Sequence, residues 1–311
     1  MNALSLSNPI IMDLTKPYVC CFGEVLWDIL PTQRVPGGAP MNVAIHLQNL
    51  GVPSVMISKV GSDSLGEELK AFLDSRKCTT EWIQVDSKYP TGTVVANTAN
   101  PKEVKYEIIE GVAWDYIDST TAAESIVENA FALVYGTLSC RNEHSRKTLL
   151  SLIAKTKGIK IFDVNFRSPY YSKELVSELI QTADVVKMNQ DELEIINQWF
   201  GSASFSFEKK IDNLKSHFNL KKLLVTLGGD GAALADETGI TYSKVYKVEV
   251  KDTIGSGDSF LAGIIKNVLL KKSSKEMLAY ACALGSIVAT HHGANPEIKE
   301  EEIYSMIKGQ Q

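Results

Sequence analysis

Cysteine is scarce in this chain and irregularly placed. Five occur among 311 residues, at positions 20, 21, 78, 140 and 282. Their number is odd and no spacing is a zinc pattern, so reduced thiols in a cytoplasmic protein are the expectation. An excess of charge is lacking too. Basic residues number 32 and acidic ones 37, a net charge of −5. With no dense Lys/Arg stripe, a nucleic-acid partner is not expected. No run approaches the roughly 18–20 apolar residues that cross a bilayer, so no membrane partner is expected either. The opening "MNALSLSNPIIMDLTKPY" has neither a charged n-region nor a long apolar core, and residues 1–17 read as a tail rather than a signal peptide. There is no G-x-x-x-x-G-K-[ST], and "GSGDSF" fails G-x-G-x-x-G at its last position, which argues against a P-loop NTPase or a dinucleotide dehydrogenase. Internal repeats and low-complexity tracts are also missing.

What is present is an alternation. Hydrophobic residues make up 44% of the chain and charged ones 22%, the balance of a globular protein with an ample core. "YVCCFGEVLWDIL" reads as an early strand, with Cys20 and Cys21 as small buried hydrophobes. "MNVAIHLQNLG" reads as a helix stopped by Gly51, and "PSVMISKVG" as a strand. "DSLGEELKAFLDSRK" puts Leu65, Leu69 and Phe72 at helical spacing. "FALVYG", "KIFDVN", "DVVKMN" and "KKLLVTLG" follow, each behind a helical pattern. Strands alternating with helices imply a parallel sheet covered on both faces. Residues 91–117 break the rhythm with two strand-like runs joined by "NTANPKE" and no helix, which predicts an antiparallel excursion outside the main sheet.

Ligands of open parallel sheets gather beyond the carboxyl ends of the strands. Asp28, Gly37 and Gly38, Asp163 to Arg167, Asn189 and Glu192, and Gly228 to Gly231 are expected there. In "DTIGSGDSF", Asp252 to Phe260, Gly255 and Gly257 can turn successive N–H groups toward one anion, and a helix start adds its positive end. A carboxylate there, Asp258, is repelled by a phosphate unless it accepts a proton from an attacking hydroxyl, the arrangement that phosphoryl transfer needs. The competing reading is a capped helix with a flexible entry. "PGGAPMN" is a tight turn before a helix, or a close backbone approach to a polyol with Asn42 as donor and acceptor. "TLGGDGA" reads by itself as a hairpin-type loop, and "NQDE" as an Asn cap with an acidic first turn. Arg167 in "DVNFRSP" could equally be a surface salt-bridge partner.

Taken together, these segments resemble the PfkB (ribokinase-like) carbohydrate kinases. "PGGAPMNVAIHLQNLG" is similar to that family's first signature and "DTIGSGDSFLAG" to its second. "NQDE" is similar to its N-x-x-E motif, "VTLGGDGA" to its nucleotide-loop strand, and "HHGANP" to its C-terminal segment. The resemblance runs from about Val19 to Pro296. It implies a ribokinase-like three-layer α/β/α sandwich with a mainly parallel central sheet and a small β lid. The core would be 18–90 and 118–311, and 91–117 the main part of a lid that also serves as a homodimer contact. Asp258 is implied as the base, and Gly255, Ser256 and Gly257 as the anion hole. Asp28, Gly37, Gly38, Asn42 and Arg167 would meet the sugar, and Thr226, Gly228 and Gly231 the ATP. Asn189 and Glu192 would organise Mg²⁺ through water, and Asp252 would lie near a K⁺ site. Within the family, "PTGTVVANTANPKEVKYEIIEGVAWDYI" followed by "FDVNFR" is most like bacterial fructokinases, implying D-fructose phosphorylated at O6. Kinases of the same family for 2-keto-3-deoxygluconate, ribose or a nucleoside, and a sensor that lost turnover, are the alternatives. Val164, Ser256 and Met41 depart from the family pattern without removing a catalytic group, and Cys282 lies near an adenine-contacting Asn of some members.

Overall fold

Every side chain of β1 (Val19–Phe22) is buried. Because successive residues of a strand point to opposite faces, such a strand must be covered twice. Val19 and Cys21 join one apolar cluster, Cys20 and Phe22 the other. The first cluster is built by the helices Ala39–Asn49, Ser64–Ser75, Ser256–Leu269, Ser274–Val288 and Glu300–Gly309. The second is built by Thr121–Glu128, Glu143–Lys155, Lys173–Thr182, Gln190–Phe200 and Phe207–His217. The computed structural model, which describes residues 13–97 and 105–309, is therefore a sheet between two helical layers. All five cysteines are free and buried. No described helix is long and apolar enough to cross a membrane.

The remaining strands are β2 (Leu26–Ile29), β3 (Arg34–Gly37), β4 (Ser54–Gly61), β5 (Ile83–Asp86), β6 (Gly92–Asn97) and β7 (Lys105–Ile108). They continue with β8 (Ala132–Gly136), β9 (Ile159–Asp163), β10 (Val185–Asn189), β11 (Lys222–Thr226), β12 (Ala232–Asp236) and β13 (Gly239–Ser243). The nine-stranded sheet runs β13-β12-β11-β10-β9-β8-β1-β4-β5, parallel except for the two antiparallel edge strands β12 and β13. Helix starts follow local chemistry. Asp63, Thr120, Asn142, Ser172, Asn189, Ser206 and Ser273 each accept a first-turn N–H through the side chain. Gly51, at φ +75, follows the helix Ala39–Asn49 as the sequence predicts.

A second sheet, β3-β2-β6-β7, stands apart from the first. The segment read as one early strand divides here. At Gly23 the backbone takes φ +145, and a Cβ would come within 2.8 Å of Pro40, so β1 stays in the main sheet while β2 leaves for the small one. β2 and β3 thus share the small sheet with β6 and β7, whereas Val112, Trp114 and Ile117 return to the core. The linker expected at 97–103 falls, apart from Asn97, outside the described residues, as do residues 1–12 of the expected tail. Arg141 fastens the end of β7 to the core. Its guanidinium donates to Asp115 at 2.7 Å and to the Ile109 carbonyl at 2.6 Å, between the rings of Trp114 and Tyr170. Tyr170 Oη donates to the Ile108 carbonyl at 3.1 Å.

Candidate active site

The carboxyl ends of the parallel strands bring polar residues into register. Gly136 pairs with Asp163 across β8 and β9, Asp163 with Lys187 across β9 and β10, and Asn189 with Thr226 across β10 and β11. The start of the helix Ser256–Leu269 completes this edge. Gly255 caps it at φ +79, in the left-handed region, and a Cβ there would lie 2.5 Å from the Ala294 carbonyl oxygen. Both conditions require glycine.

The turn also leaves donors free. Ser256 N–H reaches the Thr253 carbonyl at 3.2 Å, but those of Gly257 and Asp258 have no backbone acceptor among the described residues. Ser256 Oγ is buried and unpartnered. A helix N-terminus with unspent N–H groups attracts an anion. Gly257 is less tightly seated, since a Cβ there would stand 3.2 Å from Lys187 Nζ, the movable end of a side chain.

Asp258 is buried in the first helical turn. Burial pushes its carboxyl up to about 6 and Asp163 adds to the rise, while Lys187, Arg167 and the Asn42 amide pull it down. Asn42 Nδ2 donates to Asp258 Oδ2 at 2.8 Å, so this amide, placed with the sugar contacts from sequence, is directed at the acid itself. Lys187 Nζ sits between the two oxygens of Asp163, at 3.0 and 3.2 Å.

Asp28, paired with Val35, and Gly37, paired with Leu26, are diagonal neighbours across β2 and β3 of the small sheet, not at a strand end of the main sheet. A Cβ on Gly37 would strike the Asp28 carboxylate, and one on Gly38, at φ +124, the Glu24 carbonyl. Burial raises the Asp28 carboxyl and Arg167 lowers it. Arg167 is exposed, forms no salt bridge among the described residues, and pulls down Asp28, Glu24 and Asp258 alike. It is the cation these three carboxyls share.

Asn189 and Glu192 form a reciprocal cap. Asn189 Oδ1 accepts the Glu192 N–H at 2.9 Å, and Glu192 Oε2 accepts the Asn189 N–H at 2.8 Å. Glu192 Oε1 takes the Phe166 N–H at 2.7 Å, tying this helix start to the loop after β9. No group of three or more His, Cys, Asp or Glu among the described residues could hold a metal directly. Asp252 Oδ1 accepts the Ile254 N–H at 3.0 Å and Oδ2 the Gly293 N–H at 3.1 Å, joining the turn to the loop after the helix Ser274–Val288.

Thr226 ends β11, and the loop after it joins antiparallel β11 and β12, as its sequence suggests. Gly228 takes φ +56 and Gly231 φ +111, where a Cβ would strike the Ser243 carbonyl. Open space surrounds Gly228 and Gly229.

Three residues at this edge escaped sequence reasoning: Lys187, Glu24 and Asn295. Lys187 and Glu24 had a signal, since each is a charge inside an otherwise apolar run, "DVVKMN" and "VCCFGEVLW". Glu24 is buried, Oε1 accepts the Ala39 N–H at 3.2 Å, and Oε2 has no partner. Burial lifts its carboxyl to about 7. Asn295 Nδ2 donates to Asn42 Oδ1 at 2.7 Å.

Comparison with known proteins identifies the family and the fold. Residues 10–301 match the sequence model described as pfkB family carbohydrate kinase. Fructokinase-2 of Solanum lycopersicum is 29% identical over 325 residues, covering 94% of this chain and 96% of that protein. The structure of a fructokinase with bound ATP from Xylella fastidiosa superposes with a TM-score of 0.81 at 21% identity, covering 94% of this chain and 98% of that one. A double-mutant fructokinase from Vibrio cholerae O395, in its fructose, ADP and potassium ion bound form, gives a TM-score of 0.80 at 22% identity, with 94% and 98% covered. These two structures share the fold.

Proposed function

The chain belongs to the pfkB family of carbohydrate kinases, and from that premise we propose that it transfers the γ-phosphoryl group of ATP to a primary hydroxyl of a sugar, D-fructose at O6. One observation carries the mechanism: a buried acid, Asp258, directly follows a glycine turn, and the N–H groups of Gly257 and Asp258 have no backbone acceptor among the described residues. The sugar hydroxyl gives its proton to Asp258 as its oxygen bonds to the γ-phosphorus, and the bond from phosphorus to the ADP oxygen breaks. Gly255 aims the turn, and the N–H groups of Gly257 and Asp258 with the Ser256 hydroxyl face the transferring oxygens. Asp28, Gly37, Gly38 and Arg167 hold the sugar between the sheet edge and the lid. Thr226, Gly228 and Gly231 line the nucleotide side, where the open space at Gly228 leaves room for ATP.

Bound Mg²⁺ would offset charge on the β- and γ-phosphates. Asn189 and Glu192 would hold its waters, through the lone pairs their cap leaves over. Asp252, between its turn and the 293–295 loop, is the residue we connect with a K⁺ requirement. Relatives named fructokinase support the choice of fructose. Five free, buried cysteines suit a reducing, cytoplasmic setting. Val95, 38% exposed on the lid, is where two copies would pair, which sedimentation would test. The substrate reading is tested by ³¹P and ¹H NMR of the product made from ATP and fructose. A phosphate coupled to the protons at C6 supports it; phosphate at O1, or on another sugar in preference to fructose, refutes it.

A further inference from the structure

Asp258, Asn42 and Asn295 form a line of three buried side chains, 9%, 5% and 9% exposed. Asn295 Nδ2 donates to Asn42 Oδ1 at 2.7 Å, and Asn42 Nδ2 donates to Asp258 Oδ2 at 2.8 Å. We propose that Asn295 is a positioning residue for the reaction: its N–H donor fixes which way round the Asn42 amide stands, and so decides which oxygen of Asp258 takes the substrate's proton. The inference rests on the reading of Asp258 as the base.

The logic is one of donors and acceptors. The two ends of an amide have nearly the same shape, so packing alone does not tell Oδ1 from Nδ2. While Asp258 is ionised, its charge draws the Asn42 NH₂ group. Once Asp258 has taken a proton that attraction is gone, and a protonated Oδ2 could donate to a reversed Asn42. Asn295 opposes the reversal, because a reversed Asn42 would set NH₂ against NH₂ unless Asn295, whose own Oδ1 is buried without a partner, turned over with it. Oδ2 then faces an N–H and cannot carry the proton. The hydrogen lost by the sugar oxygen must bond to Oδ1, the oxygen that Asn42 leaves free.

Residue 295 can impose this because its own backbone is held. The Ala294 carbonyl accepts from His46 Nε2 at 2.9 Å, and His46 lies one helical turn from Asn42. The preceding Gly293 N–H donates to Asp252 at 3.1 Å. Ala294 also fills the space beside Gly255 that a side chain would need. One loop therefore touches the glycine turn and the amide that serves its acid.

The test replaces Asn295 with Leu, similar in size and without a donor, and with Ala as a second variant should Leu fail to fold. In either, kcat falls about tenfold, the worth of a hydrogen bond near a charged group, while the sugar KM stays within about threefold. The same replacement in an Asn42→Ala background changes kcat less than about threefold, because the effect travels through Asn42. An equal loss in both backgrounds would mean that 295 merely holds the loop, and would overturn the proposal. A second readout needs no turnover. The Asn42 side-chain NH₂ signals, identified by their loss in Asn42→Ala, should exchange slowly with solvent in the wild type and faster in Asn295→Leu; unchanged exchange overturns the proposal. Lack of turnover on any sugar would sink the proposed function alone, and the amide signals would still decide this inference.

Discussion

Replacing Asp258 by Asn should make the protein more stable and less active at once. An ordinary aspartate titrates near 3.8, whereas burial holds this one at about 6. The charged form is therefore disfavoured in the folded state by about 3 kcal/mol, at about 1.4 kcal/mol per tenfold in acidity. The sign follows from linkage. Because the folded carboxyl binds its proton more tightly than the unfolded one, Asp258 contributes stability below about pH 4, which is lost as pH rises through 6. An Asn cannot ionise, so Asp258→Asn should gain up to about 3 kcal/mol over wild type at pH 8 and nothing at pH 4. Urea denaturation at the two pH values measures this through the midpoint and slope. Meanwhile kcat should fall by about 10²–10⁴, the worth of a positioned base, with sugar binding largely kept. The wild-type kcat should itself decline below about pH 6, as Asp258 protonates. A variant no more stable than wild type at pH 8 would refute the claim that a buried charge is held there for catalysis.

Gly257→Val puts a branched Cβ 3.2 Å from Lys187 Nζ and misaims the turn, so steady-state kinetics should show kcat reduced about 10²-fold, the effect of losing one anion-hole donor. Arg141→Met leaves Asp115 buried without its cation, and urea midpoints should report a loss of about 3–5 kcal/mol. Asn189→Ala removes one helix cap, with a loss of about 1 kcal/mol by the same measurement.

The layered fold was legible because most of its strands are buried on both faces. "FALVYG" and "DVVKMN" are apolar runs of strand length, as strands covered on both faces require. The division of "YVCCFGEVLWDIL" was not legible. Apolarity continues through Gly23, and only the approach of Pro40, seventeen residues further on, shows why the chain turns. The same fact moved Asp28 from a strand end of the main sheet to the small sheet. At the site, the glycine turn and Asp258 could be read because local backbone chemistry demands them. Asn42 could be singled out but not aimed: its partners Asp258 and Asn295 lie 216 and 253 residues away. Lys187 illustrates a different limit, since a charge in an apolar run marks the position without naming its partner, here Asp163.

The most direct measurement is ADP release from Mg·ATP by the wild-type protein, with and without D-fructose, alongside ribose, 2-keto-3-deoxygluconate, mannose and adenosine. Release that depends on added sugar, fastest with fructose, is the expected result. Folded protein that binds ATP yet releases no ADP in response to any of them would contradict a phosphoryl-transfer role for Asp258 and the turn before it.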